Sequence, residues 1–310
     1  MKNASKGFIP VMLTPFQNDG RIDYPALTRL TEMYLKAGAA GLFANCLSSE
    51  MFELSAEERL QSIRHVVDVA GGAVPVVATG TFAGALSEQA DFVKQVYEAG
   101  TEAVIVITGL LAAQDESDVV FNERFHGLLA QTSGVPLGFY ECPEPYKRVL
   151  TAEQLGQFVA TGRVTYHKDT CLDLNQIKAK LAATEGHKFG LYDAYMVHAV
   201  ESLKAGAAGL SCIQGNFFPE LIVWLCQNYD NALLQREVAE VQEFFIRNMG
   251  VMHDVYPTVA KYSLKQRGVD ISTFTRRKVG NFTGTVRAGV EALYGDYSVL
   301  SRQLELALVA

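Results

Sequence analysis

The chain has 310 residues, 49% of them hydrophobic and 20% charged, with a formal net charge of −7. That composition can fill a large core and excludes a disordered chain. The acidic balance, with no run of like basic residues, excludes a nucleic-acid or anionic-membrane surface.

The polar stretch 1–6 has no apolar run behind it long enough for a signal peptide. No segment approaches the roughly 20 apolar residues of a membrane span. Five scattered cysteines without a CxxC pair fit a reduced, cytoplasmic thiol state.

The apolar run 8–13, closed by Thr14-Pro15, predicts a first strand. Leu27, Leu30, Met33, Tyr34 and Ala37 recur at helical spacing over 23–37, and Gly38 stops that helix. A second strand is predicted over 41–44. Ser55-Ala56-Glu57-Glu58 is a capping box that opens a helix to Ala70, halted by Gly71-Gly72. The same alternation continues with strand 74–79 and helix 87–99, then strand 103–107 and helix 115–132. Strand 136–140 and helix 151–160 follow, then strand 164–168 and helix 173–183, then strand 188–192 and helix 193–205. The last strand is predicted over 209–213. After Phe218-Pro219 the pattern is helical to the end, over 221–226, 232–248, 256–267 and 286–308.

Three joints are alike: Ala37-Gly38-Ala39-Ala40-Gly41, Ala99-Gly100-Thr101-Glu102-Ala103 and Ala205-Gly206-Ala207-Ala208-Gly209. Each takes a glycine-capped helix end into a strand within a few residues, as a repeated βα unit requires. Eight such units with nearly continuous apolar strands predict a (β/α)8 TIM barrel. An open doubly wound sheet would carry a Gly-rich turn after its first strand, and Thr14-Pro15-Phe16 is not one. Residues 1–228 are therefore assigned to the barrel and 229–310 to a C-terminal helical extension packed on it.

Chemistry in such barrels lies at the C-terminal ends of the strands. Those ends offer Thr14, the stretch 45–50, Thr79 and Thr81, Thr108, Tyr140, Lys168, Tyr192 with Asp193, and Ser211 with 214–216. The charged members are Lys168, Asp193 and Glu50, and the set contains no metal-ligand cluster. His167 alternates away from Lys168 and should face the helical layer. Cys46, Cys142, Cys171 and Cys212 fall at or just after strand ends, where small apolar side chains pack well.

Lys168 is the unusual member. A lysine at a strand end more often just reaches solvent. Burial would lower its pKa and leave a neutral amine, which can form a Schiff base with a carbonyl substrate. Tyr140 ends the preceding strand, and a phenol within reach can move the protons that imine chemistry needs. Hydroxyls and amides after the second strand could hold a carboxylate beside the ketone.

With these residues in place, the chain resembles the dihydrodipicolinate synthase / N-acetylneuraminate lyase family over nearly its whole length. Thr14-Pro15-Phe16 matches the family's Thr-Pro-Phe, and Tyr140-Glu141-Cys142-Pro143 matches its Tyr-Asn-x-Pro. Lys168-Asp169-Thr170 matches Lys-Glu/Asp-Ser/Thr, and Cys46-Leu47-Ser48-Ser49-Glu50 loosely matches Gly-Thr-Thr-Gly-Glu. The resemblance implies a lyase whose Lys168 forms a Schiff base with pyruvate or another 2-oxo acid, with Tyr140 as proton relay. It implies Ser48 and the Ser49 backbone amide as carboxylate binders, and a cofactor-free homotetramer, a dimer of dimers. Thr14, Tyr192, Asp193 and Ser211 complete the expected substrate-binding set.

The departures bear on the second substrate. Leu47 replaces the first Thr of the loop, and Leu110-Leu111 stands where a neighbouring subunit's tyrosine is supplied in the synthases. Pro145 takes the place of the synthases' arginine, with Lys147 and Arg148 nearby. Tyr192-Asp193 resembles the Tyr-Asp of sialic-acid lyases, but Leu191 stands where a glycine would be. The first expectation is aldol cleavage or condensation, or dehydration, of a 2-oxo sugar acid. The alternatives are a 4-hydroxy-tetrahydrodipicolinate synthase and a non-catalytic barrel that binds a small acid.

Overall fold

The structure, a computed structural model, describes residues 6–306. Eight parallel strands are ordered β1-β8-β7-β6-β5-β4-β3-β2. They are β1 (Gly7–Phe8), β2 (Leu42–Ala44), β3 (Val76–Thr79), β4 (Ala103–Ile107), β5 (Leu137–Tyr140), β6 (Val164–Asp169), β7 (Gly190–Asp193) and β8 (Gly209–Leu210). A parallel bridge from Val11 to Phe43 joins the first strand to the second and closes the (β/α)8 barrel. Closure leaves no sheet edge unpaired.

Side-chain alternation sorts the strands into two faces. Ile9, Val11, Phe43, Val77, Ile105, Tyr140 and Tyr166 form an inner cluster. Leu42, Ala78, Val104, Val106 and Phe139 face outward into the continuous core shared with the helices. In that layer Phe125 packs 4.7 Å from Phe139 and 4.6 Å from Phe158, all fully buried. Each such ring contributes roughly 1.5–3 kcal/mol by leaving water.

The capping signals act as predicted. Ser55 accepts from the Glu58 amide while the Glu58 carboxylate accepts from the Ser55 amide, which starts the helix Ala56–Ala70. Gly38 ends the helix Tyr24–Ala37 at φ 92°, a conformation that costs glycine nothing.

Three departures from the predicted elements have a clear local cause. Pro10 has no N–H to give the ladder, so β1 ends at Phe8 and the chain rejoins the sheet at Val11. The helix predicted over 115–132 starts only at Asp118, because Ala113 and Glu116 close a turn on each other. The helix predicted over 193–205 is delayed to Ala199, because Asp193 ends β7 and its carboxylate accepts from the Tyr195 amide at 2.9 Å.

The helix Pro219–Asn228 packs against β1 and β8. Beyond it come helices Gln235–Arg247, Met249–His253, Thr258–Gln266 and Gly284–Gln303. The helix predicted over 286–308 ends at Gln303, and residues 307 and 308 lie outside the described residues. Phe218 stacks on Tyr297 at 4.0 Å, fastening the extension to the barrel layer. Lys261 reaches Glu50 at 2.7 Å, and Arg276 grips Glu58, whose pKa falls to about 2 mainly through that contact. Among the described residues no helix is long and apolar enough to cross a membrane.

Candidate active site

Lys168 and Tyr140 stand opposite each other in the ladder of β5 and β6, at the C-terminal end of the barrel. Both belong to the inward-facing set and are 4% and 3% exposed. The Lys168 Nζ lies 4.1 Å from the centre of the Tyr140 ring. Phe43 holds that ring edge-on from the other side at 5.7 Å.

Among the described residues none of the ion pairs involves Lys168. Burial pushes its amine down from the ordinary lysine value of 10.5, and the ammonium of Lys147 adds to the push. Cys46, Cys142 and Cys212 are its other neighbours. Burial drives Cys142 up to about 11 and Cys212 up to about 12, so at neutral pH they are uncharged thiols and cannot hold an ammonium ion. Burial likewise raises the Tyr140 phenol well above its ordinary value, which keeps its proton on. The site pairs an amine that burial biases toward its neutral form with a hydroxyl that burial keeps protonated.

The two acids predicted at the mouth turn away from this pair. Glu50 is fully buried on Lys261 and also accepts from the Arg277 amide at 2.9 Å. Asp193 lies in register with Asp169 on the outward face, with His198 Nε2 at 3.1 Å. Tyr192 is inward but points down the barrel. Its ring stacks on Tyr166 at 4.9 Å and lies over Gly190, where any Cβ would meet it at 2.9 Å. Ser211 follows directly on β8 and accepts from the Tyr166 hydroxyl at 3.4 Å.

The loop after β2 is held by its own hydroxyls. Thr14 donates to the Ser49 carbonyl at 2.8 Å. Ser49 donates its hydroxyl to the Met12 carbonyl at 2.7 Å and its amide to the Cys46 carbonyl at 3.0 Å. Thr14 and Ser49 therefore shape the loop, and Ser48 is its buried hydroxyl that neighbours Tyr256. Asn45 Oδ1, Thr79 Oγ1 and Gln214 Oε1 are buried after β2, β3 and β8 without a partner among the described residues.

Directly behind the pair, on the outward face, lies a second cluster. Lys180 Nζ sits 2.6 Å from both Glu141 and Asp169, with His167 Nε2 at 3.3 and 3.4 Å from the same two oxygens. All four side chains are buried. Glu141, His167 and Asp169 are spaced to hold a metal ion, but the ammonium of Lys180 already fills that position. His167 faces the helical layer, as alternation requires.

Tyr256 is a residue at the mouth that the sequence pattern does not point to, and it is held by Asn216. Tyr256 accepts from Asn216 Nδ2 at 2.6 Å, and Asn216 Nδ2 also donates to the Val11 carbonyl at 2.8 Å. Asn216 lies in the strand-end stretch 214–216, but Tyr256 carries no local signal. It belongs to a turn between two extension helices.

The closed barrel carries a buried lysine, unpaired among the described residues, at its C-terminal mouth, and the family it falls in is one of lyases. The chain belongs to the dihydrodipicolinate synthetase family, whose model matches residues 4–294. A 4-hydroxy-tetrahydrodipicolinate synthase from Methanothrix thermoacetophila is 25% identical over 282 residues, 91% of this chain and 90% of the relative. Its counterpart from Bacillus subtilis is 25% identical over 267 residues, 84% of this chain and 89% of the relative. A prophage protein of the dihydrodipicolinic acid synthase family from E. coli K12, in complex with pyruvate, superposes with a TM-score of 0.83 at 22% identity, covering 97% of this chain and 99% of its own. A monomeric dihydrodipicolinate synthase variant superposes with a TM-score of 0.84 at 19% identity, over 94% of this chain and 97% of its own.

Proposed function

We propose that this chain is a class I aldolase-type lyase that forms a Schiff base between Lys168 and pyruvate or another 2-oxo acid. The observation that carries this reading is the burial of Lys168 over the Tyr140 ring without a carboxylate to keep it charged. The neutral amine adds to the C2 carbonyl, and the carbinolamine hydroxyl leaves as water on receiving a proton. Tyr140, held protonated by burial, is placed to supply that proton and to take one back from the nitrogen or from C3. The protonated imine then draws electrons from C3, which serves aldol cleavage, condensation and dehydration alike. That electron sink is built from the substrate and Lys168, so the chemistry calls for no cofactor.

Ser48 is the proposed carboxylate contact on the loop after β2. Thr14 and Ser49 position that loop, and Ser211, Tyr192 and Asp193 support the barrel around it. Asn45, Thr79 and Gln214, with unpartnered oxygens, suit hydroxyl groups on the second substrate. That favours a hydroxylated 2-oxo acid. The second reading, condensation of pyruvate with aspartate semialdehyde, is favoured by the names of the relatives. It is opposed by apolar Leu47 and Leu111 and by Pro145, where the synthases carry polar groups. A homotetramer in the cytoplasm is the assembly and compartment proposed. The free cysteines suit a reducing compartment, and sedimentation against the monomeric relative as standard tests the assembly.

The test is reductive trapping. Incubation with pyruvate and cyanoborohydride should add the reduced pyruvoyl mass to the tryptic peptide carrying Lys168. Lys168→Arg keeps the charge and forms no imine. An unmodified Lys168, or a fully active arginine variant, would overturn the mechanism. Efficient condensation with aspartate semialdehyde would move the assignment to the synthase.

A further inference from the structure

We infer that Tyr256, supplied by the C-terminal extension, donates its phenolic hydrogen to the carboxylate of the 2-oxo acid bound at Lys168 and so sets the preference for an acid over a neutral ketone. The inference rests on the imine reading above. It starts from a hydrogen-bond chain whose direction is forced. Asn216 faces the Val11 carbonyl with one end of its amide, and a carbonyl can only accept, so that end is Nδ2. The other end is Oδ1, and Tyr34 donates its hydroxyl to it at 2.5 Å. The second Nδ2 hydrogen goes to the Tyr256 oxygen at 2.6 Å. Tyr256 is therefore an acceptor toward Asn216, its own hydrogen is not used there, and Ser48 is its other hydrogen-bond partner.

Tyr256 sits among residues of the mouth. Tyr256 neighbours Ser48, the buried hydroxyl of the loop after β2, and it lies within electrostatic reach of Tyr140. Cys46 and Cys212 are neighbours of both Tyr256 and Lys168. Asn216 is fully buried and anchored on the Val11 carbonyl, so the phenol oxygen is held in place rather than free to swing.

An anionic substrate must find its donors among neutral groups here. Arg148 is engaged by Asp118 and by the carbonyls of Ala113 and Glu116, and Arg277 by Glu144. Lys147 is placed on the Thr170 carbonyl at 2.8 Å. Beyond the Tyr140 phenol and the Thr79 hydroxyl, Tyr256 and Ser48 supply a pair of neighbouring hydroxyls. The amide hydrogen that Tyr256 receives polarises its O–H and makes it a better donor to a carboxylate. Burial raises its pKa, so the proton is present to be shared.

The experiment compares trapping of pyruvate and methyl pyruvate, the ester being the same ketone without the charge. Both are used below saturation with cyanoborohydride, and the adduct on Lys168 is followed by mass. Tyr256→Phe keeps the ring and removes only the hydroxyl. It should slow trapping of pyruvate roughly 10- to 100-fold, the scale of one hydrogen bond to a charged group. Trapping of the ester should stay within about twofold, because that bond is made to the charge alone. Ser48→Ala should shift the same ratio in the same direction. Equal slowing of both ketones would assign Tyr256 a structural role and overturn the inference, as would an unchanged ratio. Wild-type protein that traps neither ketone would overturn the imine reading itself.

Discussion

Lys168 and Lys180 are both buried within the same two-strand neighbourhood, and they have opposite chemistry. Lys168 faces inward among thiols and aromatic rings, and burial lowers its pKa. Lys180 faces the outer side of β5 and β6. Burial pushes it down as well, but Glu141 and Asp169 outweigh that and raise it. The partners come from adjacent positions on the same strands: Tyr140 and Glu141, Lys168 and Asp169. A step of one residue along a strand crosses from one face to the other. The inner lysine is left uncompensated, which suits a nucleophile. The outer one is compensated, which suits a clamp that holds the two strands, and hence Tyr140 and Lys168, in register.

Four measurements would break or sharpen that contrast. Lys168→Met should abolish imine trapping and lower turnover on the order of 10,000-fold or more, as loss of a nucleophile does. It should not lower the unfolding free energy, since the fold opposes this lysine's charge rather than using it. Tyr140→Phe should cost turnover roughly 100- to 10,000-fold, the range of a proton-transfer group, while some trapped adduct still forms. Lys180→Met should do the reverse. It strands two buried carboxylates and should cost about 3–5 kcal/mol in urea unfolding. If Lys180→Met folds as stably as wild type, the clamp assignment is wrong.

The smallest effect lies in pH dependence. Burial pushes His167 down, but Glu141 and Asp169 raise it above its ordinary 6.5. The unfolded chain therefore releases this proton first. The stabilisation is full below about pH 6.5 and is lost as pH rises through the folded value. Lys168 has the opposite sign. Its folded pKa lies below 10.5, so the unfolded chain binds the extra proton and stability rises with pH across that window. His167→Gln should remove the first dependence from a series of urea midpoints. Trapping at Lys168 should stay within about twofold, because the imidazole is on the far face of the strand.

Much of the fold was legible because its signals are local. The capping box at Ser55 and the glycine stop at Gly38 act within one turn of chain, and the apolar runs keep their period whatever they pack against. Alternation alone put Lys168 inward and His167 outward. Legibility stopped where partners are chosen over distance. Glu50 was read as a mouth acid, but Lys261, 211 residues away, removes it. Asp193 was read as a substrate contact, but His198 and the outward register of β7 hold it elsewhere. Tyr192 has the inward position expected, yet the missing Cβ of Gly190 lets its ring lie downward.

By itself, then, the sequence determined a βα-repeating barrel with Lys168 and Tyr140 on its inner face. Periodicity and capping are properties of a few consecutive residues. The tertiary structure alone decided that Lys168 has no counter-ion among the described residues, that Lys180 has two, and that Tyr256 is held at the mouth by Asn216. Those outcomes depend on which side chains meet across the fold, and charge, burial and hydrogen-bond direction are properties of that meeting rather than of any one stretch of chain.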